Sequence, residues 1–70
     1  MIPLVFAEDN RAETIRRLSG TPETRQHLAD LGFVPGSPVT VISRVGGNLI
    51  VKVKESRIAL DKELAQKIMI

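Results

Sequence analysis

The residues able to do chemistry in this sequence are few, and their spacing is poor for it. There is no cysteine and no tyrosine, so the nucleophilic candidates are hydroxyls. Ser19, Ser37, Ser43 and Ser56 fall in turns or strands, and none has a base at a spacing that would take its proton. His27 is the single imidazole. A divalent cation needs several convergent donors, and Glu23 and Asp30 are displaced from His27 around a helix, so His27 reads as a surface or border residue. Glu8 and Asp9 are adjacent, and on an extended chain their carboxylates point apart. Gly46-Gly47 lacks both the lysine and the helix start of a phosphate-binding loop. The expectation is a non-enzyme with no catalytic residue, no metal site and no cofactor.

Charge is the remaining resource. Lys and Arg number 10 against 8 Asp and Glu, a formal net charge of +2. Up to Ser37 the chain carries four basic and five acidic groups, and beyond it six and three. Such an imbalance favours an acidic partner surface but falls short of a dedicated DNA binder. Arg16, Arg17, Arg25, Arg44, Lys52, Lys54 and Arg57 form the group of interest. Their ordinary role is to keep a small domain solvated. The functional reading places Arg44, Lys52 and Lys54 on the outward side of one hairpin, facing carboxylates that arginine can grip bidentately. Arg25, Arg44, Lys52, Lys54 and Arg57, together with Phe33, are therefore the candidate partner-binding residues. A small nucleic-acid-binding barrel is the alternative. It lacks strand aromatics, each of which would supply ~1–3 kcal/mol of base stacking.

These side chains need elements to hold them. Seventy residues allow one domain, taken as residues 1–70, with a thin core and no disulfide to reinforce it. Met1 to Ala7 reads as a short strand and Glu8-Asp9-Asn10 as a turn. Arg11 to Leu18 alternates imperfectly and leaves strand and helix both open. Thr21 is a helix cap, Pro22 suits the first helical position, and Glu23 suits the positive end of the helix dipole. The helix runs about three turns, with Thr24, Leu28 and Leu31 on one face, and ends at Gly32. Leu28, Leu31 and Phe33 read as core before docking patch, with Phe33, just after the terminator, the one of the three most open to partial exposure. Pro35-Gly36 is a turn.

Val39 to Arg44 and Leu49 to Val53 form a hairpin reversed at Gly46-Gly47-Asn48, with Leu49, Val51 and Val53 inward and Lys52 and Lys54 outward. Arg57 to Leu60 makes a further strand, Asp61-Lys62-Glu63 opens one helical turn, and Ile68 to Ile70 closes the chain. Five or six short strands with one helix across an opening predict a mainly β, small closed barrel. The longest apolar stretch, Met1 to Ala7, is too short to span a bilayer, and no basic leader precedes it. A cytosolic location without membrane insertion is expected.

The stretch Leu28-Ala29-Asp30-Leu31-Gly32-Phe33-Val34-Pro35-Gly36 resembles the LxxLGxxPG signature of ferrous iron transport protein A (FeoA) domains. The flanking "ETRQHL", "VTVIS", "GNLIVKVKESRIAL" and "AQKIMI" follow in the family's order, so the resemblance extends from Ile15 onward. Thr21, Leu28, Leu31, Gly32, Pro35 and Gly36 are its structural signature here. One departure is Asp9-Asn10, where the family usually carries a Pro-Gly turn. The resemblance implies an SH3-like barrel in the cytosol, an adaptor that binds the soluble GTP-binding region of the FeoB permease and modulates it. No nucleic-acid partner is then expected, and self-association is left open.

Overall fold

Thr21, Pro22 and Glu23 start helix α1 (Pro22–Asp30) as their chemistry requires. In the computed structural model, which describes residues 1–70, Thr21 is extended and its hydroxyl accepts the Thr24 amide at 3.2 Å. Pro22 occupies a position whose missing donor costs nothing.

The end of α1 is built just as locally. The Gly32 amide donates to the Ala29 carbonyl and the Phe33 amide to the Leu28 carbonyl, both at 3.0 Å. With Gly32 at φ 107, this is a Schellman motif, which satisfies the last helical carbonyls and folds the following residue back along the helix. Phe33 is therefore driven inward. It is 0% exposed, as is Leu28, and the two share one core. Phe33 is thus core, and with no exposed surface it drops out of the candidate partner-binding residues. Leu31 is half-buried against the same core.

Val34 to Ser37 then turn sharply. The Ser37 amide donates to the Val34 carbonyl at 3.1 Å, and Gly36 takes φ 92. Proline second and a positive-φ glycine third define a type II turn. The Gly36 amide donates to the Ile15 carbonyl at 2.7 Å, and the Ile15 amide to the Ser37 carbonyl at 2.9 Å. The turn is thereby fastened to the strand segment that precedes α1.

That segment resolves the open reading of Arg11 to Leu18. It is two short strands, β1 (Ala12–Thr14) and β2 (Arg17–Leu18), hinged at Ile15 and Arg16. The longer strands are β3 (Pro38–Val45), β4 (Asn48–Val53) and β5 (Ser56–Asp61), followed by a helical turn α2 (Lys62–Ala65) and β6 (Ile68–Met69). All strand pairings are antiparallel: β1-β3-β4-β5 form one sheet and β2-β6 a second, two-stranded ribbon. The hydrogen-bonded ladder does not close on itself. A mainly β fold with α1 docked against it is what the strands make, with β1 and β5 left as sheet edges. Leu49, Val51 and Val53 face the core from β4, as alternation predicts, and Val39 and Val41 meet them from β3.

The N-terminal segment departs from the strand expectation. Ile2 pairs with Ile70 through two backbone hydrogen bonds, but Leu4–Phe6 form a 3-10 turn that puts Leu4 in the core and leaves Phe6 71% exposed. Asp9-Asn10 does supply a turn, with Asn10 at φ 63. No helix is long and apolar enough to cross a membrane.

Candidate docking surface

The three cations expected to share one side of the β3–β4 hairpin are divided by a bulge. Val41 pairs with Val51 and Ser43 with Ile50, so Ile42 is an extra residue in β3. Beyond a bulge the parity of a strand reverses. Arg44 consequently stands opposite Leu49, a core-facing residue, and not on the side of Lys52. Its guanidinium donates to the Val5 carbonyl at 2.7 Å, to the Ala7 carbonyl at 2.5 Å and to the Asp9 carboxylate at 2.9 Å. Arg44 is thus a clamp on the N-terminal segment.

Lys52 sits between Thr40 and Arg57 in adjacent strands, on the outer face of the sheet. Lys54 lies in the β4–β5 turn with φ 53, a backbone conformation that favours glycine. Neither lysine nor Arg57 forms an ion pair. Like charges placed directly opposite, as at Lys52 and Arg57, repel, and an acidic partner would relieve this. With Pro38 and Thr40, the two lysines border a shallow concavity that contains no hydrophobic residue.

Arg25 lies elsewhere, on the exposed face of α1. It joins Arg16 and Arg17 around a groove of about 540 Å³ whose other lining residues are Leu18, Pro22, Gln26, Ala29 and Pro35. All three arginines are exposed, and none is in an ion pair or a side-chain hydrogen bond. The wall positions follow from local structure. Pro22, Arg25, Gln26 and Ala29 form one helical stripe, the type II turn delivers Pro35, and the hinge at Ile15 delivers Arg16 to Leu18.

The exposed apolar residue was not legible as such. Phe6 lines a second concavity with Val5, Arg44, Gly46, Gly47, Asn48, Leu49, Lys62 and Gln66, and Val45, at the hairpin end, is 64% exposed. The 3-10 turn, whose Val5 carbonyl and following Ala7 carbonyl are held by Arg44, turns Phe6 outward.

His27 shares the outer face of α1 with Glu23, Gln26 and Asp30, and no three His, Asp or Glu side chains converge on a common point. Ser19 is structural: its hydroxyl donates to the Lys67 carbonyl at 3.1 Å. No buried side-chain polar atom lacks a partner. The arrangement is a packed apolar interior beneath a charged surface of net +2, on which most cations stand outside ion pairs.

Residues 2–70 match the FeoA domain family. A Methanocaldococcus jannaschii protein named as an Fe(2+) transport protein A is 33% identical over 70 residues, covering 100% of this chain and 85% of the relative. The crystal structure of an iron uptake regulatory protein (FeoA) superimposes with a TM-score of 0.86 at 27% identity, covering 96% of this chain and 89% of that one. The zinc complex of Stenotrophomonas maltophilia FeoA, a prokaryotic SH3 domain protein, gives 0.78 at 24% identity over 99% of this chain and 88% of its own. The fold is therefore SH3-like.

Proposed function

The chain belongs to the FeoA family, implicated in ferrous iron transport, and we propose that it is a cytosolic accessory that docks on the soluble GTP-binding region of the FeoB permease and modulates it. In this reading the four-stranded sheet and the two-stranded ribbon act as a small SH3-like barrel with α1 across it, and the domain works by contact and not by catalysis. The observation that carries docking is the charge of the skin. Eight basic side chains, Arg16, Arg17, Arg25, Lys52, Lys54, Arg57, Lys62 and Lys67, have no ion-pair partner in the chain, while Arg11 and Arg44 do. Unpaired surface cations steer association with an acidic surface and discriminate against wrong partners.

A nucleic acid would value the same charge, but it would also need aromatic platforms. Phe33 is buried and Phe6 stands on a turn away from the outer strand faces. Protein docking is the better fit. Uptake of radiolabelled ferrous iron by cells that keep the permease and lose this protein tests the role. A reduced rate, restored by the wild-type chain, is expected; an unchanged rate under iron limitation would refute it.

A further inference from the structure

Two cationic regions of the surface differ in what lies between the charges. Around Lys52 and Lys54 the concavity is otherwise bordered only by Pro38 and Thr40. Around Arg16, Arg17 and Arg25 the lining residues include Leu18, Pro22, Ala29 and Pro35, with no acid among them. Exposed arginines beside the half-buried Leu18 and Ala29 suit a ligand that carries both carboxylates and apolar side chains. Arginine also presents a planar fork that matches a carboxylate in two parallel hydrogen bonds, and none of the three forks is used within the chain.

Resting on the docking role above, we propose that the Arg16–Arg17–Arg25 groove is the seat of an acidic peptide segment of the protein partner, whose leucine-like side chains enter between Leu18, Ala29 and Pro35 while its carboxylates meet the arginines. A free anion would use only the arginines and leave Leu18 and Ala29 in water. The groove is also held in shape before binding. The Schellman motif sets the end of α1, the type II turn sets Pro35, and the Gly36 amide on the Ile15 carbonyl ties that turn to the hinge carrying Arg16 and Arg17. The family signature residues Leu28, Gly32, Pro35 and Gly36 are thus the backbone devices that fix its walls. Walls fixed in advance lower the ordering cost of binding.

The test uses the isotope-labelled full chain and a short synthetic peptide alternating glutamate and leucine, with a lysine-and-leucine peptide and a single-stranded RNA as comparators. Amide shifts should move at Arg16 to Leu18, along Glu23 to Ala29 and at Val34 and Gly36 beside Pro35, for the glutamate peptide alone. Affinity should fall as salt rises. Arg17→Glu and Arg25→Glu should each weaken binding by about tenfold or more, given hydrogen bonds to charged groups, and Arg11→Glu, the same charge change outside the groove, should leave it unchanged. Shifts confined to another face, equal binding of the lysine peptide, tighter occupation of the groove by RNA, or indifference to both arginine changes would overturn the proposal. Because this readout needs no permease, a chain that binds the glutamate peptide but never the permease keeps the groove and loses only the docking role.

Discussion

The Phe33 amide donates to the Leu28 carbonyl at 3.0 Å, five residues back along the chain. One hydrogen bond explains why the residue after the helix terminator is core. The residue after the positive-φ glycine of a Schellman motif commonly packs on the third-from-last helical residue, and here both are fully buried. Leu28→Ala should cost about 2–5 kcal/mol and Phe33→Ala about 3–5 kcal/mol by cavity formation. A small domain with a total of roughly 5–15 kcal/mol would be close to unfolding after either change. Urea denaturation checks both, and a wild-type midpoint for Phe33→Ala would show that the ring is not part of the core.

Gly32 and Gly36 separate backbone strain from packing. A Cβ at Gly36 would meet nothing within 4 Å, and at Gly32 only ordinary contacts with Lys54 and Val53. Both positions nevertheless have φ near or above 90°. Gly36→Ala and Gly32→Ala should therefore each lose about 1–2 kcal/mol from the left-handed backbone alone. Thermal melts would read this as lowered midpoints with no local repacking of side-chain resonances.

Arg44 holds three oxygens of the N-terminal segment at once. Arg44→Met should destabilise by about 1–3 kcal/mol, less than three charged hydrogen bonds would suggest, because the site is partly exposed. Arg44→Lys should recover little of this, since an ammonium cannot span the same acceptors. Hydrogen exchange would show the loss as faster exchange at Phe6, Ala7 and Asn10, whose amides bond within or from this segment.

The two capped helices give matched local tests. Thr21 accepts the Thr24 amide, and Asp61 accepts the Leu64 amide at 2.8 Å. Thr21→Ala and Asp61→Ala should each cost about 1 kcal/mol, measured by denaturation, with the fold unchanged by circular dichroism.

What the sequence made legible was what is decided within a few residues. The start of α1 follows from Thr21 and Pro22, and the inward set of β4 from alternation at Leu49, Val51 and Val53. The Pro35-Gly36 turn is equally local. Features set by distant pairing stayed hidden. An apolar run from Met1 to Ala7 suits a strand, yet Leu4–Phe6 form a turn with Phe6 exposed, and two carbonyls of this segment bond Arg44, far along the chain. The bulge at Ile42 exists only in the register with β4, so the separation of Arg44 from Lys52 could not be read from alternation. Arg16, Arg17 and Arg25 were visible as cations, but their meeting around one groove depends on the hinge at Ile15.

Calorimetric titration of the purified chain into the soluble GTP-binding region of the permease, with and without guanine nucleotide, tests the docking role most directly. Saturable one-to-one binding that weakens with added salt is the predicted result. No heat and no complex in either nucleotide state, at concentrations where both proteins are folded, would contradict it.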